Sequence, residues 1–242
     1  MSTAADVLAG RATWAFECRD GFAFARELGD GAVDHVIGDP PYNARTHERA
    51  RSLKGGGSDI EIDFAVLPPL VDIVPALVSV AKRWAVLFCA LEQLGAYEDA
   101  GGDTFLRSGL WVRTNGTPQI SGDRPAQGGE GIAVLHRPGP KKWNRGGNRG
   151  VWTGPICKDP RRMHPTKKPL WLMEALIRDF TDPGDLVFDP TAGEGTTGEA
   201  CVRLGRRFIG CELDPRYLVA GMARIHRAAS GMKQADLFGG AP

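Results

Sequence analysis

The sequence is poor in cysteine and histidine, and what it has of each is scattered. Cys18, Cys89, Cys157, Cys201 and Cys211 form no CxxC pair and are odd in number. That pattern suits reduced thiols and excludes a disulfide framework. The five histidines show no HxxxH and join no Cys/His cluster, so no metal site is expected. No clean apolar run is long enough for a bilayer. The longest, Phe64 to Ala81, is broken by Pro68, Pro69, Asp72 and Pro75 and reads as a proline-started buried helix. Met1 to Trp14 lack the apolar centre of a secretion signal, so a cytoplasmic chain without a membrane partner is the expectation. Internal repeats are absent, and the net charge of +1 marks no overall acidic or basic bias.

What is present suits one α/β domain. Of 242 residues 42% are hydrophobic and 24% charged, enough for a sizeable core with an ordinary soluble surface. Short apolar bursts end at turn residues or acids: Val33 to Ile37, Trp84 to Ala90, Gly131 to His136, Leu186 to Asp189 and Arg207 to Glu212. Trp14 to Cys18 and Leu110 to Thr114 are weaker examples. Buried parallel strands read this way. Between them, Leu170, Met173, Leu176, Ile177 and Phe180 keep helical spacing behind Pro169, and Thr197 to Leu204 and Tyr217 to Ala228 also read as helices. The alternation predicts a doubly wound, mostly parallel sheet of seven strands with helices on both faces, spanning 1–230 as a single domain. Residues 231–242 read as a flexible tail.

Two short segments carry the chemistry. Gly193-Glu194-Gly195-Thr196-Thr197-Gly198 satisfies GxGxxG, follows the strand ending at Asp189, opens a helix, and has Glu212 at the end of the next strand. A dinucleotide is disfavoured, because Asp189 and Glu194 flank the loop where a pyrophosphate needs positive charge. A cationic cofactor, S-adenosylmethionine, tolerates those acids. Only 47 residues follow Gly195, so the rest of the sheet must come from the N-terminal half. The second segment, Asp39-Pro40-Pro41-Tyr42, follows another strand. An exocyclic amino nitrogen is a poor nucleophile because its lone pair is delocalised into the ring. The Asp39 carboxylate and the Pro40 carbonyl can each accept one amino hydrogen and favour the pyramidal nitrogen that attack requires. The prolines fix that carbonyl, and Tyr42 offers a face on which an extruded base can stack.

Together these residues resemble the amino-group DNA methyltransferases in the motif order called beta, with DPPY (39–42) ahead of the glycine loop DPTAGEGTT (189–197). His164-Pro165-Thr166-Lys167-Lys168-Pro169 resembles the family's HPTxKP segment, and Phe16 to Gly21 its short strand with an acid near the cofactor adenine. The resemblance covers roughly residues 12–225. It implies S-adenosylmethionine as cofactor, a flipped base and direct transfer without a covalent enzyme intermediate. Asp39, Pro40 and Tyr42 become the catalytic set. Asp20, Thr166, Lys168, Asp189, Thr191, Gly193, Gly195, Thr196 and Glu212 become the cofactor set. Thr191 departs from the phenylalanine common in the family. Asp39 favours N6 of adenine over N4 of cytosine, whose enzymes more often resemble SPPY, and disfavours protein glutamine methylation, where asparagine is usual.

Charge placement points to double-stranded DNA. Between 137 and 168 lie ten Lys/Arg and one acid, with Trp143 and Trp152 interleaved. Lys141, Lys142, Arg145 and Arg149, within a short recognition insert over 137–163, are expected to contact phosphates, as are Arg45, Arg49 and Arg51 in a mobile loop over 44–57. Both segments are expected to flank the base pocket. Gln234-Ala235-Asp236-Leu237-Phe238 in the tail resembles the motif that docks replication proteins on the DNA polymerase sliding clamp. Related enzymes often dimerise, so a homodimer is a further expectation. An RNA methyltransferase, a nicotinamide oxidoreductase and a catalytically silent DNA-binding module are the competing readings.

Overall fold

The structure, a computed structural model, describes residues 2–42, 68–116, 118–157 and 167–231. Arg45, Arg49, Arg51, Thr166 and the Gln234–Phe238 motif lie outside the described residues.

The strands are β1 (Trp14–Cys18), β2 (His35–Gly38), β3 (Trp84–Cys89), β4 (Phe105–Arg113), β5 (Gly129–His136), β6 (Val151–Gly154), β7 (Leu186–Asp189) and β8 (Arg207–Glu212). They form one sheet in the order β1-β8-β7-β2-β3-β5-β4-β6. Pairing is parallel from β1 through β3, antiparallel on both sides of β5, and parallel again between β4 and β6. The doubly wound sheet is as expected, but it has eight strands rather than seven. The extra one, β6, is four residues long, flanked by glycines, and alternates exposed and buried positions around Trp152.

The helices among the described residues are α1 (Ala4–Leu8), α2 (Gly21–Leu28), α3 (Leu70–Val80), α4 (Leu94–Gly101), α5 (Leu170–Phe180), α6 (Thr196–Arg203) and α7 (Pro215–Ala229). Their apolar faces are split between two cores. Along β3, Ala85, Leu87 and Cys89 join the core under α1 to α4, while Trp84, Val86 and Phe88 join the core under α5 to α7. This period-two division of a wholly apolar strand is what burial on both faces requires. Helix starts follow local chemistry. Asp20 caps α2, accepting from the amides of Phe22 and Ala23 through Oδ1, and Pro169 and Pro215 open α5 and α7.

The winding sets the site. From β2 the chain crosses by α3 to β3 on one side, and from β7 it crosses by α6 to β8 on the other. Direction therefore reverses between β7 and β2, which pair directly through His35 with Val187 and Val36 with Phe188. Crevices at such reversals, beyond the carboxyl ends of the strands, are where open α/β sheets hold ligands. The N-terminal β1 completes the sheet beyond β8.

Candidate active site

Residues 39–42 leave β2 and the loop 190–195 leaves β7, so the two motifs emerge side by side from neighbouring strands despite about 150 intervening residues. The same corner takes in β1. A Cβ on Gly21, at the start of α2, would lie 2.0 Å from the Pro190 carbonyl oxygen, so the α2 turn abuts the β7 loop backbone.

At the glycine loop, Asp189 is buried and accepts from the Thr191 amide at 3.0 Å and the Thr197 hydroxyl at 2.6 Å. Burial pushes its pKa up to about 7, against those two bonds. Gly195 has φ +72°, and a Cβ there would stand 3.0 Å from the Gly221 Cα, so α6 starts pressed against α7. Glu212 accepts from the Gly193 amide at 2.9 Å and the Asp214 amide at 2.8 Å, which fixes the loop relative to β8. Burial raises its pKa against those bonds. Glu194 turns inward to Arg224 at 3.2 Å and Lys167 at 3.5 Å. Its charge is thus met by two cations, so Glu194 does not repel a pyrophosphate as the sequence suggested. The Thr191 hydroxyl is buried without a hydrogen-bond partner among the described residues.

The corner at Asp39 holds residues the motifs did not identify. Lys168 Nζ lies 2.5 Å from Asp39 Oδ2 and 3.0 Å from Glu130 Oε2. The Tyr42 hydroxyl donates to Glu130 at 2.7 Å, and Arg113 reaches the other Glu130 oxygen at 3.5 Å. The ammonium also sits 4.9 Å from the Phe88 ring centre and 5.5 Å from that of Tyr42. Lys168, expected beside the cofactor, is bonded to Asp39, the acid expected to be catalytic. Glu130 was legible only as a lone acid opening the apolar run of β5. Burial raises the pKa of Asp39, partly opposed by Lys168. Burial would raise Glu130 too, but Lys168, Tyr42 and Arg113 bring it below the ordinary value. Asp39 Oδ1 is buried and has no partner among the described residues.

Residues 137–149 of the basic insert are not gathered at this corner. His136 pairs with Trp84, the Arg137 amide donates to the Arg83 carbonyl, and Trp84 Nε1 donates to the Lys142 carbonyl. Residues 137–142 therefore lie at the amino end of the parallel strands, opposite Asp39. Lys142 pairs with Asp182 at 2.7 Å and Arg145 with Asp179 at 3.5 Å. Trp152 is buried with its Nε1 donating to Asp179 at 2.8 Å, and Trp143 packs on Phe180. The expectation that this stretch flanks the pocket is corrected for these residues. Lys142 and Arg145 meet acids of α5 and the following turn, Arg137 meets Asp30, and the two tryptophans complete a core. Lys141 and Arg149 are exposed. The chain returns along β6, where Gly154 lies against the Trp171 ring and Trp171 Nε1 donates to the Pro155 carbonyl at 2.9 Å, bringing 155–157 to the start of α5. No group of His, Cys, Asp and Glu suited to a metal occurs among the described residues, and no helix among them is long and apolar enough to cross a membrane.

Known proteins share this arrangement. A family model described as DNA methylase matches residues 93–222. The type II methyltransferase M2.LlaDCHI of Lactococcus lactis subsp. cremoris is 31% identical over 87% of this chain and 88% of its own length. The type II methyltransferase M2.DpnII of Streptococcus pneumoniae is 42% identical over a shorter stretch, 32% of this chain and 30% of the relative. Among solved structures, the M1.HpyAVI–SAM complex superposes with a TM-score of 0.68 at 23% identity, covering 88% of this chain and 98% of that one. The cytosine-N4-specific PvuII DNA methyltransferase gives 0.67 at 16% identity, over 91% and 94%. These two structures share the fold; the family itself rests on the model match over more than half the chain and on the Lactococcus relative. The chain belongs to the S-adenosylmethionine-dependent DNA methyltransferases that modify exocyclic amino groups, N6 of adenine or N4 of cytosine.

Proposed function

We propose that the chain methylates N6 of adenine in double-stranded DNA, on a base extruded from the helix and by direct transfer. The observation that carries this reading is the orphaned Asp39 Oδ1 beside the Pro40 carbonyl, just past the end of β2, the strand next to the one that leads into the glycine loop. Two fixed acceptors there match the two hydrogens of an amino group. Tyr42, held through its hydroxyl by Glu130, presents a ring for stacking the base.

The residues fit S-adenosylmethionine. The unpartnered Thr191 hydroxyl is available to a ligand, and Gly193, Gly195 and Thr196 form the bend that admits it. Glu212 ends β8 where ribose hydroxyls are taken in comparable sheets, and Asp189 stands by the loop. Asp20, at the β1 end, and Thr166 complete the proposed cofactor set. When bound, the cofactor supplies an electrophilic methyl group on a sulfonium. Asp39 draws on one amino hydrogen and Pro40 on the other, and the proton lost after transfer leaves by way of Asp39. Arg45, Arg49 and Arg51, close to Tyr42 in the chain, are proposed phosphate contacts.

Aspartate at position 39 favours adenine. Cytosine N4 is the second reading, because its amino group presents the same two hydrogens and the PvuII enzyme shares the fold. Nucleoside analysis of unmethylated DNA after incubation with the protein and labelled cofactor decides between them. N6-methyladenine is the expected product, and N4-methylcytosine alone replaces the first reading with the second. A clamp tether through Gln234–Phe238 is a separate proposal resting on the pentapeptide. Clamp pull-down by the full chain, lost on deleting 233–242, is its expected result.

A further inference from the structure

We propose that Glu130 is a positioning residue for the transfer: it shares the Lys168 ammonium with Asp39 and pins the Tyr42 hydroxyl, leaving one Asp39 oxygen free for the incoming amino group. This rests on the amino-methyltransferase reading and deepens it at the same site.

Lys168 is buried, and its charge must be met by acids within reach. With Glu130 3.0 Å away, the ammonium bonds Asp39 through Oδ2 and leaves Oδ1 without a partner. Glu130 is itself anchored, by Arg113 on one oxygen and Tyr42 on the other, so it cannot follow the lysine toward Asp39. Asp39, Glu130, Lys168 and Arg113 sum to zero charge, and the cluster tolerates burial as a unit. Removing the Glu130 charge leaves Asp39 as the one nearby anion for Lys168 in this cluster. The ammonium then moves onto the acid and competes with the base for its lone pairs.

The groups facing Asp39 are Lys168 ahead of α5, Glu130 on β5, Tyr42, Cys89 on β3 and Asp189 on β7. Transfer needs Asp39 ionised, so its rate rises with pH through the pKa of that acid. The Glu130 charge holds this pKa up, so Glu130→Gln moves the acid limb of the rate profile to lower pH.

The test is single-turnover methylation of unmethylated DNA across pH, with cofactor affinity measured in parallel, for wild type, Glu130→Gln, Glu130→Asp and Tyr42→Phe. Glu130→Gln is expected to slow transfer roughly 10- to 100-fold, shift the acid limb down, and keep cofactor affinity within about threefold. Glu130→Asp, which keeps the charge but shortens its reach to Lys168 and Tyr42, is expected to return the limb toward wild type while transfer stays slow. If the glutamine variant fails to fold, a Glu130→Asp protein at the wild-type rate overturns the inference. Tyr42→Phe is expected to slow transfer and, by removing a bond that lowers the Asp39 pKa, to move the limb up rather than down. A Glu130→Gln protein matching wild type in rate and limb overturns this inference alone. A Tyr42→Phe protein reproducing both changes shows that Glu130 acts only through the tyrosine and also overturns it. Failure of the wild type to methylate DNA overturns the parent reading as well.

Discussion

At Asp189 a carboxyl group lies buried between the Thr191 amide and the Thr197 hydroxyl, and its pKa stands at about 7 against an ordinary 3.8. A carboxyl raised on folding binds its proton more tightly in the native state. Its contribution to stability is full below about pH 4 and is lost as pH climbs to about 7, by roughly 4 kcal/mol. Asp189→Asn keeps an acceptor for both donors and removes the titration. The variant is therefore expected to gain stability over wild type at pH 8 and little at pH 5, read from urea midpoints. Parallel differences at the two pH values would contradict the assigned burial cost. At Asp39, replacement by alanine is expected to abolish transfer while cofactor affinity stays within a few-fold by calorimetry. An active Asp39→Ala protein removes the acid's assigned role.

Among the elements, the turns into helices carry the site. Gly195 adopts φ +72° with Gly221 against it, so Gly195→Ala meets both backbone strain of about 1–2 kcal/mol and a collision between α6 and α7. Lower thermal stability and weaker cofactor binding are expected together. Cofactor affinity unchanged in a folded variant would show that the bend does not hold the ligand. Asp20 serves α2 as its N-cap, so Asp20→Ala is expected to cost about 1 kcal/mol. That corresponds to roughly 2–4 °C in Tm for a chain of this size. Asp20→Asn preserves the cap and is expected to hold Tm. A loss of cofactor affinity in Asp20→Asn at constant Tm isolates the proposed cofactor role from the capping one. The strands and long helices were legible because burial on both faces writes continuous apolar runs, and proline marks helix starts: α5 begins at Leu170 after Pro169, as its spacing predicts. Strand β6 was not, since four residues with one buried tryptophan carry too little pattern.

Across the whole molecule, the juxtaposition of the two motifs was legible in outline, because each directly follows a strand. Their exact neighbourhood on β2 and β7, and the Lys168–Glu130–Asp39 cluster, were not, since contacts between residues 39, 130 and 168 depend on sheet order rather than local sequence. The basic insert misled for the same reason. Lys142 and Arg145 look unpaired in the sequence, but Asp182 and Asp179 meet them once α5 is packed. The most direct measurement follows the methyl group itself: unmethylated DNA and labelled S-adenosylmethionine incubated with wild type and with Asp39→Ala, followed by nucleoside mass spectrometry. Label in N6-methyladenine with wild type and none with the variant is the predicted result. Label confined to a ring carbon, or equal label from both proteins, contradicts it.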